Sequence, residues 1–308
     1  MMLSGAANTD ACNNGAGAEV VWCGCHGASA RLLGRKNGYE LMECEGCGSI
    51  SASVRRNQFV PAEIYEEYYQ GASFEIPEAT NASLDRLVAS FEPFRRTGRL
   101  IDIGYGEGGL LNAAQRRGWS CYGTEVDLRA LEVGRRRGWV VGSPGSDELL
   151  PAEGFDVVTM IEFLEHVSEP EASLRATVRL LRPGGILYLT TPNARSLNRR
   201  LLGLEWTVIC PPDHLTIWTE RGLRSALAGA GLKCERIRSE GLNPYEIACH
   251  FRRNSRPHMP VNRQQRAADL NQVFSRSAQR RAVKKAINLI LSACGAGDGL
   301  KVWATRAY

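Results

Sequence analysis

Three sets of residues in this chain have side chains and spacings suited to chemistry. The first is Asp102 followed by Gly104, Gly106, Gly108 and Gly109. A carboxylate at the end of an apolar run, then glycines that accept positive φ, suits a strand that hands over to a helix N-terminus. Such a turn can cradle the polar part of a nucleotide-like ligand. The second set is His166 and His214, the latter after Pro211-Pro212-Asp213. Imidazoles are groups that remove a proton near neutral pH. The third is Cys23-Gly24-Cys25-His26 and Cys44-Glu45-Gly46-Cys47. Two short pairs about 15 to 20 residues apart are the layout of a structural zinc site. Cys23, His26, Cys44 and Cys47 give two-residue spacing in both knuckles, and Cys25 can stand in for His26. Four protein ligands leave no open position, so a zinc held this way is structural.

Taken alone, the glycines are ambiguous. Gly104, Gly106 and Gly109 satisfy G-x-G-x-x-G, and Glu125 follows at about 20 residues, the place of a ribose-binding acid in a dinucleotide fold. A nicotinamide-dependent oxidoreductase is therefore one reading. A non-catalytic adaptor that binds a partner through its cysteine-rich and basic segments is another.

The elements around these residues alternate. A strand at 100–103 leads to a helix through Leu110, Leu111, Ala113 and Ala114 to Gly118. A strand from Trp119 to Val126, a helix from Asp127 to Gly138 and a strand at Val140-Val141 follow. Phe155 to Ile161 is a fourth strand. A helix from about Glu171 to Arg182 turns through Pro183-Gly184-Gly185 into the strand Ile186 to Thr190. Strands alternating with helices imply a parallel, doubly wound α/β sheet covered on both faces. The paired Arg-Arg-Gly-Trp runs ending at Trp119 and Trp139 read as two helix C-termini, with arginines on the negative dipole end and glycine at the cap.

Upstream, residues 61–97 read as helical, with Tyr65, Tyr68 and Tyr69 and then a stripe of Leu84, Leu87, Val88, Phe91 and Phe94. Downstream, Thr219 caps a helix carrying Leu223, Ala226, Leu227 and Ala230 that closes at Gly231, and Lys233 to Ile237 is a strand. Residues 251–296 form a basic, mostly helical insertion with Ala282, Val283, Ala286, Ile287, Ile290 and Leu291 on one face. Leu300 to Thr305 is the last strand.

Composition sets the outer bounds. The 308 residues are 44% hydrophobic and 23% charged, with no apolar run near the roughly 20 residues of a membrane span. The first residues lack a basic segment followed by an apolar one, so a cytoplasmic protein with reduced thiols is expected from its ten cysteines. A net charge of +5 does not argue for nucleic acid, and no N-P-P-Y-type motif follows the fourth strand. The basic C-terminal helix allows peripheral contact with a membrane surface. The expected plan is a disordered tail at 1–19, a zinc-binding lobe at 20–60 and one large domain at 61–308.

Several segments share one order: Asp102 to Gly108, Glu125, Phe155-Asp156-Val157-Val158, Leu164-Glu165-His166-Val167, Leu181-Arg182-Pro183-Gly184-Gly185 and Thr191-Pro192-Asn193. In that order the chain resembles the class I S-adenosylmethionine-dependent methyltransferases, and among them the group similar to ubiquinone-biosynthesis O-methyltransferases. The cysteine lobe is similar to the zinc-binding lobe of some relatives that act on sugars or natural products. The resemblance covers about residues 20–250 and the final strand. It departs from the pattern at Tyr105, where a small residue or cysteine is more usual, at His26 in place of cysteine, and in the insertion at 251–296.

The resemblance implies a Rossmann-like seven-stranded sheet whose last two strands form an antiparallel hairpin. It implies S-adenosylmethionine at the carboxyl ends of the first strands. Asp102 would hold its cationic amino-acid end, Gly104, Tyr105, Gly106 and Gly108 its approach, and Glu125 its ribose hydroxyls. Asp147 would read the adenine amino group, and Ile161 would line the site. A small-molecule acceptor is implied, most readily a hydroxyl of a sugar, phenol or natural-product intermediate. The run Glu162-Phe163-Leu164-Glu165-His166 matches the family's E-x-x-E-H stretch. His166 is the first candidate base, with Glu162 and Glu165 orienting the acceptor or binding a divalent metal. His214 is the second candidate base.

Overall fold

The computed structural model describes residues 19–20, 25, 28–54, 76–144, 154–251 and 278–307. The tail at 1–18, the tyrosines at 65–69, Asp147 and residues 252–277 lie outside the described residues.

Short β-rich segments come first: β1 (Glu19–Val20), β2 (Ala30–Lys36), β3 (Tyr39–Cys44) and β4 (Ile50–Val54). They pair antiparallel in the order β1-β4-β3-β2. The large sheet begins after the helix α1 (Glu78–Ala89). Its strands are β5 (Arg99–Ile103), β6 (Ser120–Thr124), β7 (Val140–Gly142), β8 (Phe155–Ile161) and β9 (Leu181–Pro192). Beyond β9 lie the short strand β10 (Thr216–Ile217), then β11 (Leu232–Glu240) and β12 (Gly299–Arg306). The seven-stranded order is β11-β12-β9-β8-β5-β6-β7. The β5, β6, β7, β8 and β9 pairings are parallel, whereas β12 runs antiparallel to both β9 and β11. The sheet and its terminal antiparallel hairpin are those expected.

Side chains along these strands alternate between two cores, as the period of two requires. Leu100, Val157, Ile186 and Tyr188 face one side, with Leu111 and Leu131 from the helices α2 (Gly109–Arg116) and α3 (Leu128–Arg136). Ile101, Val158, Leu187 and Leu189 face the other. They meet Leu174 of α4 (Pro170–Leu180) and Leu223 and Leu227 of α6 (Glu220–Gly229), which follows the short α5 (Leu197–Leu202). The chain leaves β5 toward β6 and β7 on one side and β8 and β9 on the other. The crevice at the carboxyl ends of β5 and β8 is therefore the switch point where ligands of open α/β sheets bind.

Three expectations about elements shift. The turn expected at Pro183-Gly184-Gly185 lies inside β9, which starts at Leu181. Arg182 is drawn toward the sheet by buried Asp156, with Nε 2.6 Å from Oδ1, and the β8–β9 register slips between Phe155 and Val157. Of the helix expected over 61–97, the described part is α1 and a short 3₁₀ turn, Glu92–Phe94, with Pro93 in its first turn. The helix α7 (Pro244–Phe251) leads up to the insertion, whose described part is α8 (Ala278–Ala293) with the turn after it. On α8 Leu291 is buried, but Ile287, Leu289 and Ile290 are exposed. Asn288 accepts from the Gly241 N–H at 3.1 Å, which turns a different edge of the helix inward than the apolar pattern suggests.

The lobe at the N-terminus is not apart from the large sheet. β10, from the stretch after β9, joins it by pairing antiparallel with β4, Thr216 against Ser51 and Ile217 against Ile50. Cys44 and Cys47 pack in the same core as Trp218, Leu223 and Leu227.

Candidate functional site

Asp102 is the penultimate residue of β5 and is buried. Thr159, its neighbour in register on β8, donates Oγ1–H to Asp102 Oδ1 at 2.6 Å. Burial outweighs that bond, Glu125 adds repulsion, and the Asp102 carboxyl is lifted to about 7. The turn after it carries positive φ at Gly104 (72°), Gly106 (56°) and Gly108 (77°), so all three glycines of the D-x-G-x-G-x-G reading use the freedom that only glycine has cheaply. A Cβ at Gly104 would also lie 2.7 Å from the Phe163 ring. Gly108 is the N-cap of α2, whereas Gly109 is already in the helix.

Glu125, just past β6, is buried beside this turn. Its Oε2 accepts from the Gly106 N–H at 2.9 Å and its Oε1 from the Val126 N–H at 2.7 Å. The carboxylate thereby bridges the two strand ends. The Tyr105 side chain leaves the turn. Its ring runs away from the turn toward β6 and α3, stacks edge-on to Trp139 at 6.0 Å, and donates its hydroxyl to Ala130 O at 2.8 Å. Only its backbone belongs to the turn. Ile161 ends β8 half-buried, packed against the core that contains Tyr105 and Leu111. Asp147 lies outside the described residues.

The acid–histidine set gathers after β8. Glu162 has φ 50°, a left-handed conformation that non-glycine residues adopt rarely. Thr190 holds it there: its carbonyl accepts from the Glu162 N–H at 3.0 Å, and its hydroxyl donates to Glu162 Oε1 at 2.8 Å. Glu165 is 0% exposed, and neither carboxylate oxygen makes a hydrogen bond among the described residues. Thr191 lies beside it outside hydrogen-bond geometry, so burial and the Glu162 charge push its carboxyl well above the usual range. His166 Nδ1 lies 2.8 Å from Asp213 O and 3.0 Å from Asp213 Oδ1. Because a carbonyl only accepts, Nδ1 carries the hydrogen, and Nε2 is the nitrogen whose proton can change. Burial works against the charged ring, but Asp213 and Glu165 outweigh it and raise His166 to about 9. His214 Nδ1 is tied in the same way to Val208 O at 2.7 Å, and the two imidazoles stand 4.7 Å apart. Neither Glu165 nor His166 caps α4; Glu169 occupies that position.

Asp213, Thr159 and Thr190 were not singled out from the sequence as site residues. Asp213 carried the one local signal, an acid immediately before His214.

In the lobe, the ligand atoms of Cys25, Cys44 and Cys47 lie within 4.8 Å of one another. The Ser49 N–H faces Cys47 Sγ at 3.4 Å, as amides do around a thiolate knuckle. Cys23 and His26 lie outside the described residues. The structure thus joins Cys44 and Cys47 to Cys25, the residue expected as the substitute for His26. Three soft thiols fit zinc.

A family model described as a methyltransferase domain matches residues 76–237, which run from before β5 into β11. The ubiquinone biosynthesis O-methyltransferase of Thiobacillus denitrificans is 31% identical over 160 residues, 47% of this chain and 69% of that protein. Its counterpart from Paracidovorax citrulli is 32% identical over 161 residues, 47% of this chain and 68% of that one. A solved structure of an S-adenosylmethionine-dependent methyltransferase from Archaeoglobus fulgidus is similar in fold, with a TM-score of 0.50 at 18% identity, covering 80% of this chain and all of that one. The matched span holds Asp102, Glu125, Glu162, Glu165, His166 and His214 but not the cysteines of the lobe, and the oxidoreductase and adaptor readings fall away. On strand order, glycine turn and matched family together, this chain belongs to the class I S-adenosylmethionine-dependent methyltransferases.

Proposed function

We propose that the enzyme methylates a hydroxyl of a small-molecule acceptor, with His166 as the base that removes its proton. The observation that carries this is the His166 ring, fixed by Asp213 through Nδ1 and set beside buried Glu165 at the carboxyl end of the sheet. S-adenosylmethionine, when bound, supplies a methyl group on a sulfonium that departs as a neutral thioether. Asp102 and Glu125 fit that group: two buried carboxylates at adjacent strand ends repel each other and are relieved by a cation. Asp102 would hold the ammonium end and Glu125 the two ribose hydroxyls. Asp147 remains the proposed reader of the adenine amino group.

In-line displacement needs positioning more than covalent help. The half-buried Phe163 ring, close against Gly104, gives the turn an apolar neighbour, which limits water near a step that disperses charge. Glu162, held in its unusual conformation by Thr190, orients the acceptor, and His214 is the second base. A phenolic or sugar hydroxyl suits such a pair. The similarity to ubiquinone biosynthesis O-methyltransferases favours transfer to oxygen. Zinc on Cys44, Cys47, Cys25 and a fourth ligand from Cys23 or His26 has a structural role in this reading.

The test is methyl transfer from labelled S-adenosylmethionine to catechol and to a simple glycoside. His166→Ala should lower turnover about 10²- to 10⁴-fold, while S-adenosylhomocysteine affinity by calorimetry stays the same. Unchanged turnover in that variant defeats the base assignment.

A further inference from the structure

The loop that follows α5, residues 203–219, carries Cys210, Asp213 and His214, and its anchorage comes from the N-terminal lobe. Where the β2–β3 hairpin turns, Lys36 Nζ donates to Leu204 O at 2.6 Å and Trp206 O at 3.0 Å. Asn37 Nδ2 donates to Pro211 O at 2.9 Å. At the far end Ala52 N donates to Leu215 O at 2.8 Å, beside the β4–β10 pairing. Ser49 Oγ accepts from the Thr219 N–H at 3.1 Å, and Thr219 Oγ1 donates to Cys47 O at 3.0 Å. Leu41, Ile50 and Ala52 of the lobe share a buried core with Trp206, Ile209 and Leu215 of the loop.

The loop passes this anchorage on to the candidate catalytic groups. Asp213 fixes His166, Val208 fixes His214, and the N–H groups of Leu215 and Thr216 donate to Glu165 O at 2.7 and 3.1 Å. The cofactor half is built otherwise. Asp102, Gly104, Gly106 and Glu125 are bonded to Thr159, Thr124, Gly142, Val126 and one another, with no hydrogen bond to the lobe among those described.

We propose that the lobe is the positioning device for the acceptor half of the site, with Lys36, Asn37 and Ser49 setting the histidine pair through the loop at 203–219. The proposal rests on reading His166 and His214 as acceptor-side groups. It does not require the lobe to touch the acceptor. It makes acceptor chemistry and cofactor binding separable, because the two halves take their geometry from different parts of the chain.

The experiment uses the full chain with ¹⁵N-labelled histidine. The Nδ1–H signals of His166 and His214 are followed by NMR, alongside calorimetry with S-adenosylhomocysteine. Lys36→Ala, Asn37→Ala and Ser49→Ala are each expected to speed exchange of these ring protons with water by about tenfold or more, as local opening does. S-adenosylhomocysteine affinity should stay within about twofold of the parent, as for distant, uncoupled sites. Lys36→Arg keeps donors for the same carbonyls and is expected to keep the protected signals. Ser49 is buried; should Ser49→Ala fail to fold, the half-buried Lys36 and exposed Asn37 decide the matter. Ring signals unchanged in the folded variants, or cofactor affinity lost in step with them, overturns the proposal. Turnover that survives His166→Ala removes the base assignment instead, and leaves these signals as they were.

Discussion

At Asp102 the apo protein holds a carboxyl that is half protonated near pH 7. An ammonium group needs the charged form, so binding must expel a proton at lower pH. The acid's raised value means the neutral form grows as pH falls through about 7. S-adenosylhomocysteine affinity should therefore drop about tenfold between pH 8 and pH 6, as titration of one such group requires. Asp102→Asn should bind about 1–3 kcal/mol more weakly, the scale of a charge-assisted bond, and show a flat profile. Calorimetry across that range checks both, and a flat profile in the parent enzyme sinks the Asp102 assignment. His166 has the opposite charge sense. Raised to about 9, it is cationic at neutral pH, and the base form appears only as pH rises through that value. kcat/KM should climb with a slope near one from pH 7 toward 9, and the slope should vanish in His166→Gln. Asp102, Glu125 and His166 were legible because each sits in a short local pattern. Asp213 was not, because the residue it serves is 47 positions away and only the fold brings them together.

At the scale of elements, the strand–helix alternation could be read from sequence because its period and caps are local. Asp127 does cap α3, accepting from the Arg129 and Ala130 N–H groups, and Thr219 caps α6. The early start of β9 at Leu181 could not, because the ion pair of Arg182 with buried Asp156 overrides the turn chemistry of Pro183 to Gly185. Tyr105 shows a compensation between elements. A bulky residue in the glycine turn needs space, and β6 and α3 supply it with Gly123 and Gly134. A Cβ at Gly123 would come 2.5 Å from Tyr105 Cδ1, and one at Gly134 2.9 Å from its hydroxyl. Gly123→Ala should destabilise the enzyme by about 1–3 kcal/mol, the usual range for overpacking. Tyr105→Ala leaves a cavity and is costly alone, yet combined with Gly123→Ala it should cost less than the sum. A coupling of at least about 0.5 kcal/mol in denaturant unfolding is expected, whereas strict additivity would mean the ring is not what Gly123 accommodates.

For the whole molecule, the question is whether the segment at 20–60 is an appendage or part of the fold. The cysteine spacing changes the local chemistry there and marks a boundary in the sequence, yet nothing local foretells that β10 returns to pair with β4. The consequence is physical. Removing residues 1–60 would leave the backbone of Thr216 and Ile217 without its sheet partner. It would also uncover Trp218 and Leu223 where Cys44 and Cys47 now pack, and strip the loop carrying His214 of its core. An edge of that kind invites misassembly, and the lost burial removes several side chains worth about 1.5–3 kcal/mol each. Net stability of a domain is only about 5–15 kcal/mol. The truncated chain should therefore lose near-ultraviolet circular dichroism and bind a hydrophobic dye while keeping far-ultraviolet helix signal. A truncated chain that instead unfolds cooperatively at the parent's midpoint and binds S-adenosylhomocysteine would show that the large sheet stands without the lobe.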